Sequence, residues 1–360
     1  MQKVTNNTHQ SSFLLTSQRQ LLKMMSEFID KRDKGLQSNA VSVNDIRNGE
    51  QQFLDLVVKG TSEISSVNDY HIPASDSNGE KILLRIYDPL NNNNINHIDE
   101  DTSNNISSLT PCLIYIHGGG GVQLSVQFYD YVLRYISNSS GMKVAAMNYR
   151  LAPEYPFPAG LNDVLDTIRW IVKNGEKLGI DKYRLALGGD SAGATMALAA
   201  ALRIRDGDLS NIQPTEKTTK HLLRALFLIY GHYSPNVMKS KSMQIFGEKE
   251  WSFTTKTYLG WFLKHLHQNK EDYNNQYAFP LLANTLKELP PTYIVTTSTD
   301  TYRDDNIDLA DKFEQEKQEY YLTMWPGVMH ASINLLYITP EVQKYVDAMT
   351  AFLGGILQTR

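Results

Sequence analysis

The sequence is short of several features that would assign a class at once. It holds one cysteine, Cys112, so an intrachain disulfide is excluded. That residue lies in the apolar stretch 112–116 and reads as a buried core thiol. No apolar run is long enough to span a bilayer, and residues 1–10 are polar, without the apolar centre of a signal peptide. The expectation is a cytoplasmic protein with no stable membrane insertion. There is no cationic excess either: the formal net charge is −4 and no Lys/Arg block occurs, which argues against a nucleic-acid partner. The histidines do not gather at metal-ligand spacing, since His265 and His267 stand two apart on a predicted helix and face different ways. Neither a metal nor an organic cofactor is expected.

What is present describes a globular chain. Hydrophobic residues make up 41% and charged residues 21% of 360, enough for one large core or two modest ones. Short apolar runs at 81–87, 112–116, 143–147, 183–187, 222–230, 292–297 and 320–325 read as strands. Stretches with helical spacing lie between them at 128–136, 159–178, 194–204, 307–316 and 341–357. This alternation predicts an α/β fold, a mostly parallel central sheet with helices on both faces.

Two regions break the rhythm. Residues 1–58 read as helical from about Ser12, with uneven apolar stripes through Phe13, Leu14, Leu21, Leu22, Met25 and Phe28 and through Phe53, Leu54, Val57 and Val58. Residues 234–278 hold polar turns and an aromatic-rich helix near 258–266, with Trp251, Trp261 and Phe262. The two are expected to pack together as a helical cap over a core built from 59–233 and 279–360. The Asn-, Asp- and Ser-rich stretch 91–108 is expected to be a disordered surface loop with no part in the chemistry.

Gly189, Asp190, Ser191, Ala192 and Gly193 stand where a strand meets an alanine-rich helix. Glycines two before and two after Ser191 keep side chains out of a sharp turn, and the serine is pushed outward at a helix N-terminus. Such an elbow suits a nucleophile. A nucleophilic serine needs a base and a group to orient that base. The turn after the strand ending near Thr297 offers Asp300, with Asp304 and Asp305 nearby, and the turn after the strand ending near Trp325 offers His330. The order Ser, Asp, His is that of an α/β-hydrolase. Gly118, Gly119, Gly120 and Gly121 follow another strand. The run has neither the Gly-x-Gly-x-x-Gly spacing nor a following Lys with Ser or Thr, so it is not a nucleotide loop. Its backbone N–H groups, joined by that of Ala192, would stabilise a tetrahedral oxyanion.

These pieces resemble the hormone-sensitive-lipase-like branch of the α/β-hydrolases. The shared strings are His117 with Gly118, Gly119 and Gly120; YRLAPEYPFP at 149–158; GDSAG at 189–193; LPPTYIVTTSTDTYRDD at 289–305; and 327–330 ending in His330. The resemblance implies a serine carboxylesterase of the α/β-hydrolase fold with a helical cap, acting on short- to medium-chain esters through an acyl-enzyme. Ser191 would be the nucleophile, Asp300 the acid and His330 the base. Gly118, Gly119 and Ala192 would form the oxyanion hole, supported by His117, Gly120, Gly189, Asp190 and Gly193, with Arg150 and Glu154 fixing the loop beside the site. An amidase or deacetylase of small acylated molecules would use the same groups, and a non-catalytic small-molecule receptor on this fold is the rival of another class. The retained His330 favours turnover. A homodimer is compatible with all of this. The chain departs from the family pattern at Gly121, where an aromatic is usual and a wider or looser pocket is expected, and at Ala194, Thr301, Tyr302, Ala331 and Ser332.

Overall fold

The computed structural model describes residues 16–90, 109–210, 222–249 and 252–358. The Asn-rich stretch 91–108, Phe13, Leu14 and Trp251 fall outside the described residues, as do the side chains of Leu21, Leu22 and Met25.

The chain opens with three helices, α1 (Thr16–Gln37), α2 (Val43–Asn48) and α3 (Glu50–Val57). The strands β1 (Ser66–Pro73), β2 (Lys81–Asp88) and β3 (Thr110–Ile116) lead to α4 (Val126–Ser140), β4 (Lys143–Asn148) and α5 (Ala159–Asn174). Then come β5 (Ile180–Asp190), α6 (Ala192–Arg205) and β6 (Ala225–Ile229), followed by α7 (Lys241–Phe246) and α8 (Lys256–Leu266). The chain ends through β7 (Thr292–Thr297), α9 (Arg303–Gln315), β8 (Tyr320–Trp325) and α10 (Pro340–Gln358).

One eight-stranded sheet runs β1-β2-β4-β3-β5-β6-β7-β8. β4, β3, β5, β6, β7 and β8 run parallel to one another, while β2 pairs antiparallel with both β1 and β4. The mostly parallel sheet predicted from the sequence is therefore present, with one strand more than the apolar runs indicated. β1 escapes a sequence reading because it is an edge strand with a single buried residue, Ile72. A strand that buries so little carries neither alternation nor an apolar run.

The continuous apolar runs follow from burial on both faces. Cys112, Ile114 and Ile116 of β3 pack with Val164 and Ile168 of α5 and Leu198 of α6. Leu113 and Tyr115 point the other way, to Val132 and Ile136 of α4 and Val346 and Leu353 of α10. Each such aliphatic side chain contributes roughly 1.5–3 kcal/mol when fully buried, so the two layers hold β3 and β5 at the centre. Local signals bound the helices: Ser125 caps α4 by accepting from the Phe128 N–H, Gly141 ends it in the left-handed conformation, and Thr255 caps α8.

The helices that precede the sheet meet the segment before β7. α1 packs on α8, and Leu36 shares a cluster with Tyr258, Phe262, Val122 and Ala152. Arg47 of α2 ties this layer to the loop after β4, with Nη1 and Nη2 each 2.9 Å from a Glu154 carboxylate oxygen and further donations to the carbonyls of Val122 and Ala152. No helix among the described residues is long and apolar enough to cross a membrane.

Candidate active site

Ser191 sits between β5 and α6 with φ 53° and ψ −122°, a strained conformation for a residue with a side chain. Its N–H donates to the Ile229 carbonyl at 2.8 Å, fastening the elbow to β6. A Cβ at Gly189 or at Gly193 would collide with the Ile116 carbonyl oxygen of β3. That contact is why the turn tolerates only glycine at those two positions. Ala194 is fully buried in the core on the α5 and α6 face of the sheet.

Ser191 Oγ lies 2.9 Å from His330 Nε2, and His330 Nδ1 lies 2.8 Å from Asp300 Oδ2. Asp300 is fully buried, and its other oxygen accepts from the Tyr302 N–H at 2.8 Å. The loops carrying the two residues are joined: Thr299 Oγ1 donates to the Val328 carbonyl and the Gly327 N–H donates to Ser298 Oγ. The rings of Tyr230 and Tyr302 stand edge-on to the imidazole, with centroids 4.8 and 4.6 Å away. Tyr302 thus occupies two contacts at the site, through its N–H and its ring. Ala331 takes a left-handed backbone with φ 62°, at a cost of roughly 1–2 kcal/mol.

Asp190 faces away from the serine into the interior. Its carboxylate accepts from Tyr115 OH at 2.9 Å, Tyr129 OH at 2.8 Å and the Gly118 N–H at 3.0 Å. Complete burial raises its pKa to about 6 despite these donors. His117 is buried as well, stacked on Tyr149 at 4.4 Å, and its Nδ1–H donates to the Gly118 carbonyl at 2.7 Å. Burial lowers its pKa to about 4, so the ring is neutral. Tyr149 OH donates to the His117 carbonyl, and Arg150 closes on Asp163 and Asp76.

Gly118, Gly119 and Ala192 are the residues expected to form the oxyanion hole. The Gly118 N–H is committed to Asp190 and is not directed at the pocket. Gly119 and Gly120, not Gly118, line the cavity with Ser191. The N–H groups of Gly119, Gly120 and Ala192 have no backbone partner among the described residues. A Cβ at Gly120 would enter the Phe262 ring, and one at Gly121 would lie 2.9 Å from Leu266 Cδ1. Leu266 of α8 thus stands against Gly121, and both border a cavity.

A cavity lies over Ser191 and His330. Its wall comes from the layer above the sheet, with Phe28, Phe53, Phe253, Tyr258 and Phe262. Of the aromatics singled out in the sequence, Phe262 lines the cavity, whereas Trp261 packs on Tyr258 and His265 of its own helix α8. Sequence reasoning missed Tyr115, Tyr129 and Arg47. None of them carries a local motif, and their roles come from contacts across the fold.

The alpha/beta hydrolase fold family matches residues 113–334, more than half of the chain. The chain belongs to that family. An ethyl acetate hydrolase of Pseudomonas putida is 25% identical to the hydrolase over 311 residues, 86% of this chain and 89% of that protein. Esterase LipI of Mycobacterium tuberculosis is 31% identical over 199 residues, 55% of this chain and 58% of its own length. Among solved structures, an ester-hydrolase from the metagenome of Lake Arreo superposes with a TM-score of 0.80 at 28% identity, covering 95% of this chain and 98% of that one. An esterase of Pyrobaculum calidifontis does so at 0.78 and 28%, with the same coverage. These relatives are ester hydrolases by name, and the protein is an enzyme of that kind, a carboxylic ester hydrolase.

Proposed function

We propose that the protein is a serine carboxylesterase cleaving short- to medium-chain esters through an acyl-enzyme, with Ser191 as nucleophile, His330 as base and Asp300 as the group that orients the base. The observation that carries this reading is the unbroken chain of 2.9 and 2.8 Å contacts from Ser191 Oγ through the imidazole to Asp300. His330 Nε2 takes the hydroxyl proton as Oγ attacks the ester carbonyl, and the imidazolium is stabilised by Asp300. The oxyanion forms against the N–H groups of Gly119, Gly120 and Ala192, and each such donor contributes about 3 kcal/mol in the transition state. The proton then passes to the leaving alcohol, and water repeats the sequence on the acyl-enzyme.

The string of shared motifs supports a place in the hormone-sensitive-lipase-like branch. Residues 1–58 and 234–278 serve as the cap, and the apolar wall they supply is why the acyl chain is taken to be hydrocarbon of modest length. The test is hydrolysis of p-nitrophenyl esters of increasing acyl length by wild type, Ser191→Ala and His330→Ala. A rate that peaks at one chain length and falls by about three orders of magnitude or more in both variants supports the reading. Equal rates in all three overturn it.

A further inference from the structure

A second, smaller cavity is lined by Ala192, Thr195, Gly121 and Leu266. His232 and Leu266 border both cavities. His232 is the one imidazole besides His330 that lines the cavity holding Ser191. It is 4% exposed, and its Nε2 is buried without a hydrogen-bond partner among the described residues.

The backbone around His232 is pinned on every side. Thr195 Oγ1, one helical turn after Ser191, donates to the His232 carbonyl at 2.6 Å. Asn306 Nδ2 donates to the Gly231 carbonyl at 2.9 Å, and Asp305 accepts the N–H groups of Tyr233 and Ser234 at 2.7 and 2.9 Å. The ring rests against Tyr302 at 5.4 Å. A rigid mount that leaves one buried nitrogen unpaired costs stability that an apolar ring would not. The same features suit a preorganised binding group.

The ring's protonation follows from its neighbour. Thr195 has one hydroxyl proton, given to the His232 carbonyl, so its oxygen meets Nδ1 at 3.4 Å only as an acceptor. Nδ1 therefore carries the hydrogen. Burial lowers the pKa to about 3, which keeps the imidazole neutral and Nε2 a bare acceptor.

We propose that His232 is a specificity-determining residue whose Nε2 accepts a hydrogen bond from a hydroxyl on the substrate, so that the preferred substrates are esters carrying a free hydroxyl close to the scissile carbonyl. The inference rests on the carboxylesterase reading above. An apolar pocket without such an acceptor disfavours a hydroxyl, which must shed its water, so a preference for it has a distinct sign.

The test measures kcat/KM on two matched pairs. p-Nitrophenyl 3-hydroxybutyrate against p-nitrophenyl 3-methylbutyrate probes the acyl side, and 2-hydroxyethyl acetate against propyl acetate probes the alcohol side. Wild type is expected to favour the hydroxylated member of at least one pair by about tenfold. His232→Phe removes that preference, read as the ratio of kcat/KM within each pair, and His232→Gln, which retains an acceptor oxygen, keeps part of it. A wild-type ratio near one in both pairs overturns the proposal without reference to any variant, as does an equal preference in wild type and His232→Phe. Ser191→Ala on the plain esters tests the carboxylesterase reading separately: if that activity depends on Ser191 and no hydroxyl preference exists, only the role of His232 fails.

Discussion

The Gly118 N–H donates to Asp190 Oδ1 at 3.0 Å, joining the glycine run to the residue immediately before Ser191. Two tyrosine hydroxyls from β3 and α4 meet the same carboxylate, so one buried anion holds together the glycine run and the turn that carries Ser191. Asp190→Ala is expected to leave three buried donors unpaired and to cost about 3–5 kcal/mol in denaturant unfolding. Asp190→Asn supplies a single acceptor oxygen and presents an NH₂ to groups that are themselves donors. It should lower kcat more than it raises KM, since the fault is in the placing of the glycine N–H groups. An Asn variant with wild-type kcat would show that the run is held by other contacts.

The same carboxylate gives a pH dependence of stability with a definite sign. Its folded pKa of about 6 lies above the ordinary 3.8, so the folded state binds more protons between those values than the unfolded chain does. The contribution is fully present below about pH 4 and is lost as pH rises through 6, a change on the order of 3 kcal/mol. Asp190→Asn cannot titrate. The stability advantage of wild type over this variant should therefore shrink from pH 4 to pH 7, as measured by urea unfolding at several pH values. An advantage that grows with pH would contradict the burial argument.

Asp300 has both oxygens in use, one toward His330 Nδ1 and one toward the Tyr302 N–H. An asparagine can serve only one of them with its single acceptor. Asp300→Asn is expected to lower kcat by roughly three to four orders of magnitude, with KM nearly unchanged because the carboxylate is fully buried. Steady-state kinetics on one p-nitrophenyl ester checks this, and a large rise in KM at constant kcat would assign Asp300 to substrate binding.

Much of the sheet was legible because β3, β4, β5, β6 and β7 are short runs buried on both faces, which leaves an unmistakable pattern of apolar residues. β1 was not, since it buries Ile72 alone. In the site, the elbow announces itself by glycine spacing, and Asp300 and His330 by their order after successive strands. Which of four consecutive glycines line the cavity has no local signature. That depends on Asp190 capturing Gly118, an arrangement made by Tyr115 and Tyr129 from elements far apart in the chain. His232 likewise gains its character from Thr195, Asn306 and Asp305, which no motif connects to it.

Arg47 places its guanidinium on Glu154 and on the carbonyls of Val122 and Ala152, uniting α2 with the loops beside the glycine run. Glu154 is half exposed, so the ion pair alone is worth little; the carbonyl contacts carry more. Arg47→Lys, a point charge on a flexible stem, cannot reproduce the planar fork. Both Arg47→Lys and Arg47→Ala are expected to speed proteolytic cleavage in residues 38–60, by about tenfold for a loss near 1.4 kcal/mol. Cleavage rates unchanged from wild type would mean that the helices before the sheet are held by their apolar contacts.

Gly120 and Phe262 meet where the layer above the sheet touches the proposed oxyanion site. Gly120 has φ 65°, and any Cβ there would enter the Phe262 ring. Gly120→Ala should therefore displace either the ring or the loop. If the loop moves, an N–H proposed to bind the oxyanion moves with it, and kcat is expected to fall by about a hundredfold. Phe262→Ala alone widens the cavity and should chiefly raise KM for short esters. The double variant separates the causes, because removing the ring frees space for the new methyl group. Recovery of kcat by about tenfold relative to Gly120→Ala alone would give a coupling energy near 1.4 kcal/mol and identify the helix contact as what positions the glycine. Additive losses would instead place the defect in the left-handed backbone, which alanine adopts at a cost whether or not the ring is there.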